Sequence, residues 1–377
     1  MVLKKLLPYG VKDYYPSESE KLTDLLEVVE KELNLWGYSE IGLPHLEFKK
    51  LFETTLGESK RIFPVGVWEG EELALRFDFT PQILRFVFHQ KRELFPLRVY
   101  YKGKVFKKTG QLWEEPTLGF ELVGASGVEA DAEIVALTSQ ILSKLGLKKH
   151  ILLLGHRKIY DHLAEKFGKE TVESKNFEEL PKEFLKVYNL SKEDWKSLPI
   201  PKEVAEELEK LYNLLKEYQI DAEIGFLPTL TPKRDYYSGI FFKVLVGKET
   251  VAGGGRYDNL FKRFGKNITA TGGGLKLLKL LEMAKIESKQ PLKVFVIDTT
   301  PQKVEGWKVA KLLREKGFIT ARDLVCRNVK DSLKVAELKN YDLAVVVKFS
   351  DQRVVREIVP LKEKIDREKL KHLEELL

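Results

Sequence analysis

The patterning of the chain changes character at IESKQP (Ile286–Pro291). Before it, strand-like runs and helices are mixed, and LRVYYKGKVF and LGFELVG read as an antiparallel pair joined by a loop. After it, KVFVID, a helical stretch over 303–316, FITARDLV, a helical stretch over 331–338 and LAVVVKF follow one another in regular alternation, which buries a mostly parallel sheet. The chain is expected to hold an α+β core, an antiparallel sheet flanked by helices, before this segment and a small α/β unit over 292–377 after it. At 377 residues and about 150 residues per domain, two or three domains are expected, and 43% hydrophobic residues suffice for their cores.

Within the core, Ser17 and Glu20 read as a capping box, and Leu22, Leu25, Leu26, Val29 and Leu33 continue at helical spacing to about Trp36, where Gly37 ends the helix. IGLP (Ile41–Pro44) reads as a strand. LALRFDFTPQILRFVF turns from alternation to helical periodicity at Thr80–Pro81, with Pro81 in the first turn. LRVYYKGKVF (97–106) and LGFELVG (118–124) form an antiparallel pair joined by KKTGQLWEEPT. A helix over 131–145, closed by Gly146, precedes the buried strand HILLLG (150–155). The Lys- and Glu-rich stretch over about 161–218 reads as a helical insertion. Strands resume at 222–225, 236–246 and 250–252, ahead of GGGRYD and the apolar helix LKLLKLLEMAKI.

Composition excludes several chemistries. No apolar run reaches the ~18 residues of a membrane span, and the N-terminus lacks a signal-like apolar block, so a soluble cytoplasmic protein is expected. The single Cys326 can form neither an internal disulfide nor a thiolate zinc cage, and the six histidines show no HExxH spacing. No metal or cofactor is expected. The net charge is +7, of which +5 lies in the last 85 residues, with 19 Lys and Arg against 14 Asp and Glu. That tail either meets phosphates or is an ordinary solvated surface; its interleaved acids favour the second reading.

Four features could carry a site. In LRFDFTPQ an extended backbone would put Arg76, Asp78 and Thr80 on one face and Phe77 and Phe79 on the other, so a carboxylate beside a hydroxyl could hold an ammonium group; the alternative is a half-buried edge strand. Glu121 lies inside an apolar strand and needs a partner, either an internal Lys or Arg or a ligand's ring N–H. GGGRYD (253–258) marks a close backbone approach or a sharp turn without the spacing of a dinucleotide fingerprint, and its Arg256 could clamp an anion or pair with Asp258 or another acid. Tyr236 and Tyr237 offer phenol donors or simple packing.

The order of blocks sharpens the reading. PYGVKDYYP, WGYSEIGLPHLE, LRFDFTPQILR, EEPTLGFELVG, RDYYSGIFF and GGGRYDNLFKRFG resemble, in sequence, the catalytic core of histidyl-tRNA synthetases over about residues 1–285. The tail resembles a reduced anticodon-binding domain of that family. Two protein classes use this core: the synthetases and the regulatory subunits of short-form ATP phosphoribosyltransferase.

The resemblance implies that three arginines should fork onto the phosphate and carboxylate oxygens of adenylate formation. Their places hold Lys107, Pro232 and, across TATGGGLKLLKLL, Lys279. Lysine is not equivalent at a bidentate site, and proline carries no charge. It further implies an amino-group site at Asp78 and Thr80 and an imidazole site at Glu121 and Tyr236, with Thr117, Tyr237 and Arg256 nearby. Thr117 stands where the family has Gln, and the lost arginine at 232 could shift the carboxylate anchor to Lys233 or Arg256.

The EEPxLGxE string is closer to the regulatory subunits. The expected function is therefore non-catalytic: a homodimer within a hetero-oligomer, binding the short catalytic subunit and passing histidine feedback to it, with tRNA not expected as a partner. The alternative is a synthetase, or a paralogue acting on tRNA or another nucleophile.

Overall fold

The computed structural model describes residues 7–57, 60–89, 95–110, 112–174, 178–232, 235–286, 291–325, 328–363 and 365–377. Lys233 and Cys326 lie outside them. The chain splits into two compact units, Met1–Ile286 and Glu287–Leu377.

In the first unit α1 spans Pro16–Leu35 and buries Leu25, Val29 and Leu33. Its cap is Tyr15, whose N–H donates to Glu18 Oε2 at 3.2 Å, in place of the Ser17–Glu20 box. Pro16 decides this, because its ring already sets a helical φ and its missing N–H is one that a first turn leaves unbonded anyway. Gly37 at φ +79° turns the chain into β1 (Ser39–Glu40), which pairs in parallel with β5 (Leu97–Phe106).

IGLP does not continue that strand. Ile41 N–H bonds Tyr100 O, and the chain then turns so that Leu43 and Pro44 offer their carbonyls to the Arg76 guanidinium. The polar stretch that follows holds β2 (Leu46–Phe48), α2 (Lys49–Leu56), β3 (Pro64–Trp68) and β4 (Glu71–Leu75), the strands forming a three-stranded sheet of order β2-β4-β3. Strand β4 ends at Leu75, so the expected alternation through residue 80 fails. Arg76 is buried under Phe79, 3.8 Å from its ring centroid, and donates to Lys104 O, while Phe77 and Phe79 enter different clusters. Helix α3 (Thr80–His89) then begins where Thr80–Pro81 places it.

The central sheet has nine strands in the order β1-β5-β6-β12-β11-β10-β7-β9-β8, where β6 is Glu114–Val123, β7 Ile151–His156, β8 Tyr188–Asn189, β9 Glu223–Phe226, β10 Ile240–Val246, β11 Glu249–Arg256 and β12 Ala270–Leu275. β5, β6, β12, β11, β10 and β7 pair antiparallel in succession. One face packs against α1, α4 (Val128–Lys144) and α7 (Lys202–Glu217) around Leu118, Phe120, Leu122, Ile240 and Phe242. The other face carries Val99, Tyr101 and Val123 with α3 and α8 (Asp258–Arg263).

The expected insertion comprises α5 (Arg157–Phe167), α6 (Lys169–Ser174), two 3-10 turns, β8 and α7. Gly253–Arg256 are not a turn but the end of β11. Helix α9 (Leu277–Met283) closes the unit.

The second unit has a four-stranded sheet, β14-β13-β15-β16, with β13 (Lys293–Asp298) parallel to both β14 (Ile319–Arg322) and β15 (Leu343–Ser350). α10 (Val304–Glu315) and α12 (Arg367–Leu376) share one cluster, and α11 (Val329–Leu338) the other. The antiparallel edge strand β16 (Arg353–Pro360) and α12 escaped the sequence reading, because RVVREIVP is a mostly exposed edge without a clean alternation. Among the described residues no helix is long and apolar enough to cross a membrane.

Candidate functional site

The register of the central sheet prepares a floor without side chains. Lys243 pairs with Gly253, Gly253 with Gly274, Gly274 with Gly119, and Gly119 with Tyr101. Two residues along, Phe241, Gly255, Gly272 and Glu121 form a parallel row. Side chains on one face of a strand recur every second residue, so both rows look the same way. Above them, with Gly119 covered by the Tyr101 ring, opens a cavity of about 1020 Å³.

Glu121 is the buried acid of this floor, 3% exposed. Its partners are neither Lys nor Arg but two phenols: Tyr257 donates to Oε2 at 2.7 Å and Tyr101 to Oε1 at 2.9 Å. Burial lifts its pKa to about 8; the two phenols pull it down, and the negative charge of Asp78 adds to the rise. Burial also holds both phenols well above their usual range, so they stay protonated donors.

The glycines are required by this geometry. A Cβ on Gly119 would lie 2.4 Å from Tyr101 Oη, and one on Gly272 1.6 Å from Glu121 Oε2. A carboxyl group in such a place can donate or accept a hydrogen bond toward a ligand's ring nitrogen near neutral pH.

Asp78, Thr80 and Tyr236 meet at the mouth of α3. Thr80 N–H donates to Asp78 Oδ1 at 3.1 Å and Tyr236 Oη donates to Thr80 Oγ1 at 3.3 Å. Tyr237 lies against Tyr236 with ring centroids 5.3 Å apart. These residues and Thr117 all line the cavity. Tyr236, in a turn, and Tyr237 precede β10 rather than standing within a strand.

Lys107, Pro232 and Lys279 line the same cavity. Lys107 pairs with Glu115 at 3.5 Å, and Lys279 with Glu249 at 3.4 Å and Glu282 at 3.7 Å. Neither lysine offers the planar fork of a guanidinium.

Arg256, expected either as an anion clamp or as the partner of Asp258 or another acid, is placed among acids. It lies outside the cavity lining, on the opposite face of β11, where Nε donates to Asp131 Oδ2 at 3.0 Å, Nη2 to Gly127 O at 2.7 Å and Nη1 to Asp258 Oδ1 at 3.4 Å. Strand parity sends it there with Ala252 and away from Gly253 and Gly255, and it ties α4 to the sheet. Burial lifts the Asp131 pKa to about 6 against the pull of Arg256. Arg256→Ala leaves that acid buried without its cation and is expected to cost about 3 kcal/mol of stability. Chemical denaturation checks this; an unchanged midpoint would remove the anchoring role.

Sequence reasoning missed Tyr101, Tyr257, Lys243 and Lys276, which also line the cavity. Tyr257 lies within GGGRYD. The signal for Tyr101 was Gly119, a gap in β6 that only a ring crossing from the neighbouring strand fills.

The histidyl-tRNA synthetase family profile matches residues 10–185 and 185–280. An ATP phosphoribosyltransferase regulatory subunit of Aquifex aeolicus is 33% identical over 92% of this chain and 93% of its own length. A histidine–tRNA ligase of Pyrococcus abyssi is 28% identical over 90% of each. In fold, the crystal structure of an ATP phosphoribosyltransferase regulatory subunit/histidyl-tRNA synthetase from Bacillus halodurans superposes with a TM-score of 0.76 at 24% identity, covering 92% of this chain and 99% of that one. Histidyl-tRNA synthetase from Nostoc gives the same TM-score at 17% identity over the full length of both. The chain thus belongs to the histidyl-tRNA synthetase family and, within it, to the ATP phosphoribosyltransferase regulatory subunits.

Proposed function

We propose that this regulatory subunit binds free histidine in the cavity and does not activate it. The amino group sits against Asp78 and Thr80, and the imidazole against Glu121. One observation carries the reading: the acidic and phenolic end is assembled and hydrogen-bonded, while the positions that adenylate formation would fill with guanidinium forks hold two Glu-paired lysines and a proline. Without forks the triphosphate and attacking carboxylate lose their alignment, and alignment is most of what such a reaction needs from its enzyme.

A chain of this kind acts through a second protein. It docks as a homodimer with the catalytic ATP phosphoribosyltransferase subunit, and histidine shifts that subunit's activity by its unequal affinity for two assembled states, a coupling of typically ~1–3 kcal/mol. The C-terminal α/β unit, anticodon-binding-like in its order of elements, plays no tRNA role in this reading.

Purified protein is expected to show no histidine-dependent ATP–pyrophosphate exchange above background. Calorimetry should detect histidine binding, weakened in Asp78→Asn by roughly ten- to hundredfold, the loss of one charge-assisted partner of about 1.5–3 kcal/mol. Exchange that disappears in Asp78→Asn would restore the synthetase reading. Equal histidine affinity in both proteins would move the site elsewhere. Mixing with the catalytic subunit should give a larger species by light scattering whose phosphoribosyl transfer falls on adding histidine.

A further inference from the structure

Arg76 is a buried cation that meets carbonyls and a ring instead of an acid. It is 1% exposed, and among the described residues no carboxylate pairs with it. Burial pulls its pKa down to about 10, so at neutral pH it keeps its charge. A cation taken out of water without a counter-ion costs stability, so its presence calls for a reason.

Its bonds lock it in place. Nη1 donates to Leu43 O at 2.9 Å and Pro44 O at 3.3 Å, while Nε and Nη2 donate to Lys104 O at 3.0 and 2.9 Å. The Arg76 backbone is fastened to the same two segments, its N–H to His45 O and its carbonyl to the Phe106 N–H. The guanidinium lies flat on Phe79, 3.8 Å from the ring centroid. Phe79 stacks on Tyr101, with centroids 4.2 Å apart and planes at 17°. Tyr101 Oη then donates to Glu121 Oε1 at 2.9 Å. A guanidinium, two rings and a phenol thus form one column from the Leu43–Pro44 turn to the buried acid. Gly119 beneath Tyr101 offers no side chain to hold the ring's tilt, so the plane of Phe79 sets it.

We infer that Arg76, which does not itself line the cavity, is a positioning residue for it: through Phe79 it fixes the plane of Tyr101 and so the hydrogen bond that Tyr101 gives Glu121. An ammonium is a point charge and can neither span both sets of carbonyls nor lie flat on a ring, so lysine cannot replace it. The consequence for histidine rests on the reading that Glu121 meets the imidazole; the column does not.

The titration of Glu121, read without ligand by carboxyl NMR of full-length protein labelled at glutamate Cδ, tests this. Tyr101 from β5, Tyr257 ahead of α8 and Asp78 ahead of α3 face the group, which titrates at about 8 and whose resonance is the one lost in Glu121→Gln. The Tyr101 bond lowers that value, so Tyr101→Phe should raise it. Arg76→Lys, which keeps the charge, and Arg76→Gln should raise it as well. Combining either with Tyr101→Phe should add nothing, because both act through one hydrogen bond. Phe79→Leu, apolar but without the ring plane, should shift it in the same direction. Histidine affinity should fall in the Arg76 variants by roughly three- to tenfold, the worth of one hydrogen bond. Leu25→Ala, a cavity under α1 in the other cluster, should melt lower yet titrate and bind as wild type.

A wild-type titration in Phe79→Leu or in a folded Arg76 variant, additive shifts in the double variants, or an equal shift in Leu25→Ala overturns the positioning role. Failure of both Arg76 variants to fold would make Arg76 a purely structural residue and overturn it too. Shifted titrations in a protein that binds no histidine would keep the column and remove the amino-acid reading.

Discussion

Gly254→Ala is expected to prevent the first unit from folding, whereas Gly274→Ala, on the adjoining strand of the same sheet, keeps the wild-type melting temperature. At Gly254 a Cβ would sit 2.0 Å from Gly272 O and 2.8 Å from Gly273 Cα. Both are backbone atoms of β12 in the middle of the nine-stranded sheet, so relief requires β11 and β12 to separate and give up ladder hydrogen bonds. Overpacking against side chains typically costs about 1–3 kcal/mol; against fixed backbone the cost exceeds that and is comparable to a typical domain's whole stability of about 5–15 kcal/mol. At Gly274 a Cβ meets nothing closer than 3.9 Å. The result should be insoluble expression or loss of the cooperative melt. A soluble Gly254→Ala protein that melts within a few degrees of wild type would show that the strand pairing through Gly253–Gly255 is wrong.

Glu121→Gln should stabilise the protein at alkaline pH and weaken histidine binding. An isolated glutamate titrates near 4.3, while Glu121 is raised to about 8 by burial. Below about pH 4.3 both folded and unfolded states hold the proton and no penalty exists. As pH rises from there to about 8 the unfolded chain releases its proton and the folded one does not, so stability falls; above about 8 the loss is complete.

Gln keeps the shape and remains able to bond both tyrosines, because a phenol oxygen also accepts. The variant should be more stable than wild type by about 2–4 kcal/mol at pH 8.5, a gain that shrinks toward pH 5. Melting curves at the two pH values check this. A variant less stable at both would mean that the carboxyl is ionised and well paired.

The same proton shapes ligand binding. With Glu121 protonated up to about pH 8 and free imidazole neutral above about 6.5, the pair carries one proton before and after binding. Histidine affinity should therefore be flat between those values and weaken below about 6.5, where both partners hold a proton. Gln cannot share that proton, so its affinity falls by the worth of a charge-assisted bond, about 1.5–3 kcal/mol. A stabilising change that removes ligand affinity is the exchange expected where a site holds a strained charge.

Much of the architecture was open to local reading. The α1 helix, the β5–β6 pair, the helix beginning at Thr80–Pro81 and the alternating β13 to β15 tail follow from periodicity and turn residues, because their burial is one-sided and repeats along the chain. Asp78, Thr80, Glu121 and Tyr236 stood out by local anomalies, such as an acid inside an apolar strand, while their ligand roles came from the ordered resemblance to a family.

What only the tertiary structure decided concerns register and parity. Arg256 and Gly255 are neighbours in sequence, yet β11 sends them to opposite faces, so one ties α4 to the sheet and the other floors the cavity. Arg76, two residues from Asp78, is drawn under Phe79 by carbonyls from β5 and from the turn at Leu43–Pro44. Tyr101 reaches Glu121 because Gly119 and Gly272, each on a paired strand, lack side chains. Each of these depends on residues brought alongside by strand pairing, across 20 positions for Tyr101 and Glu121 and 136 for Tyr257 and Glu121. Local periodicity assigns a residue to a face of its own strand; which strands lie beside it, and hence what that face meets, is set by the free energy of the whole sheet.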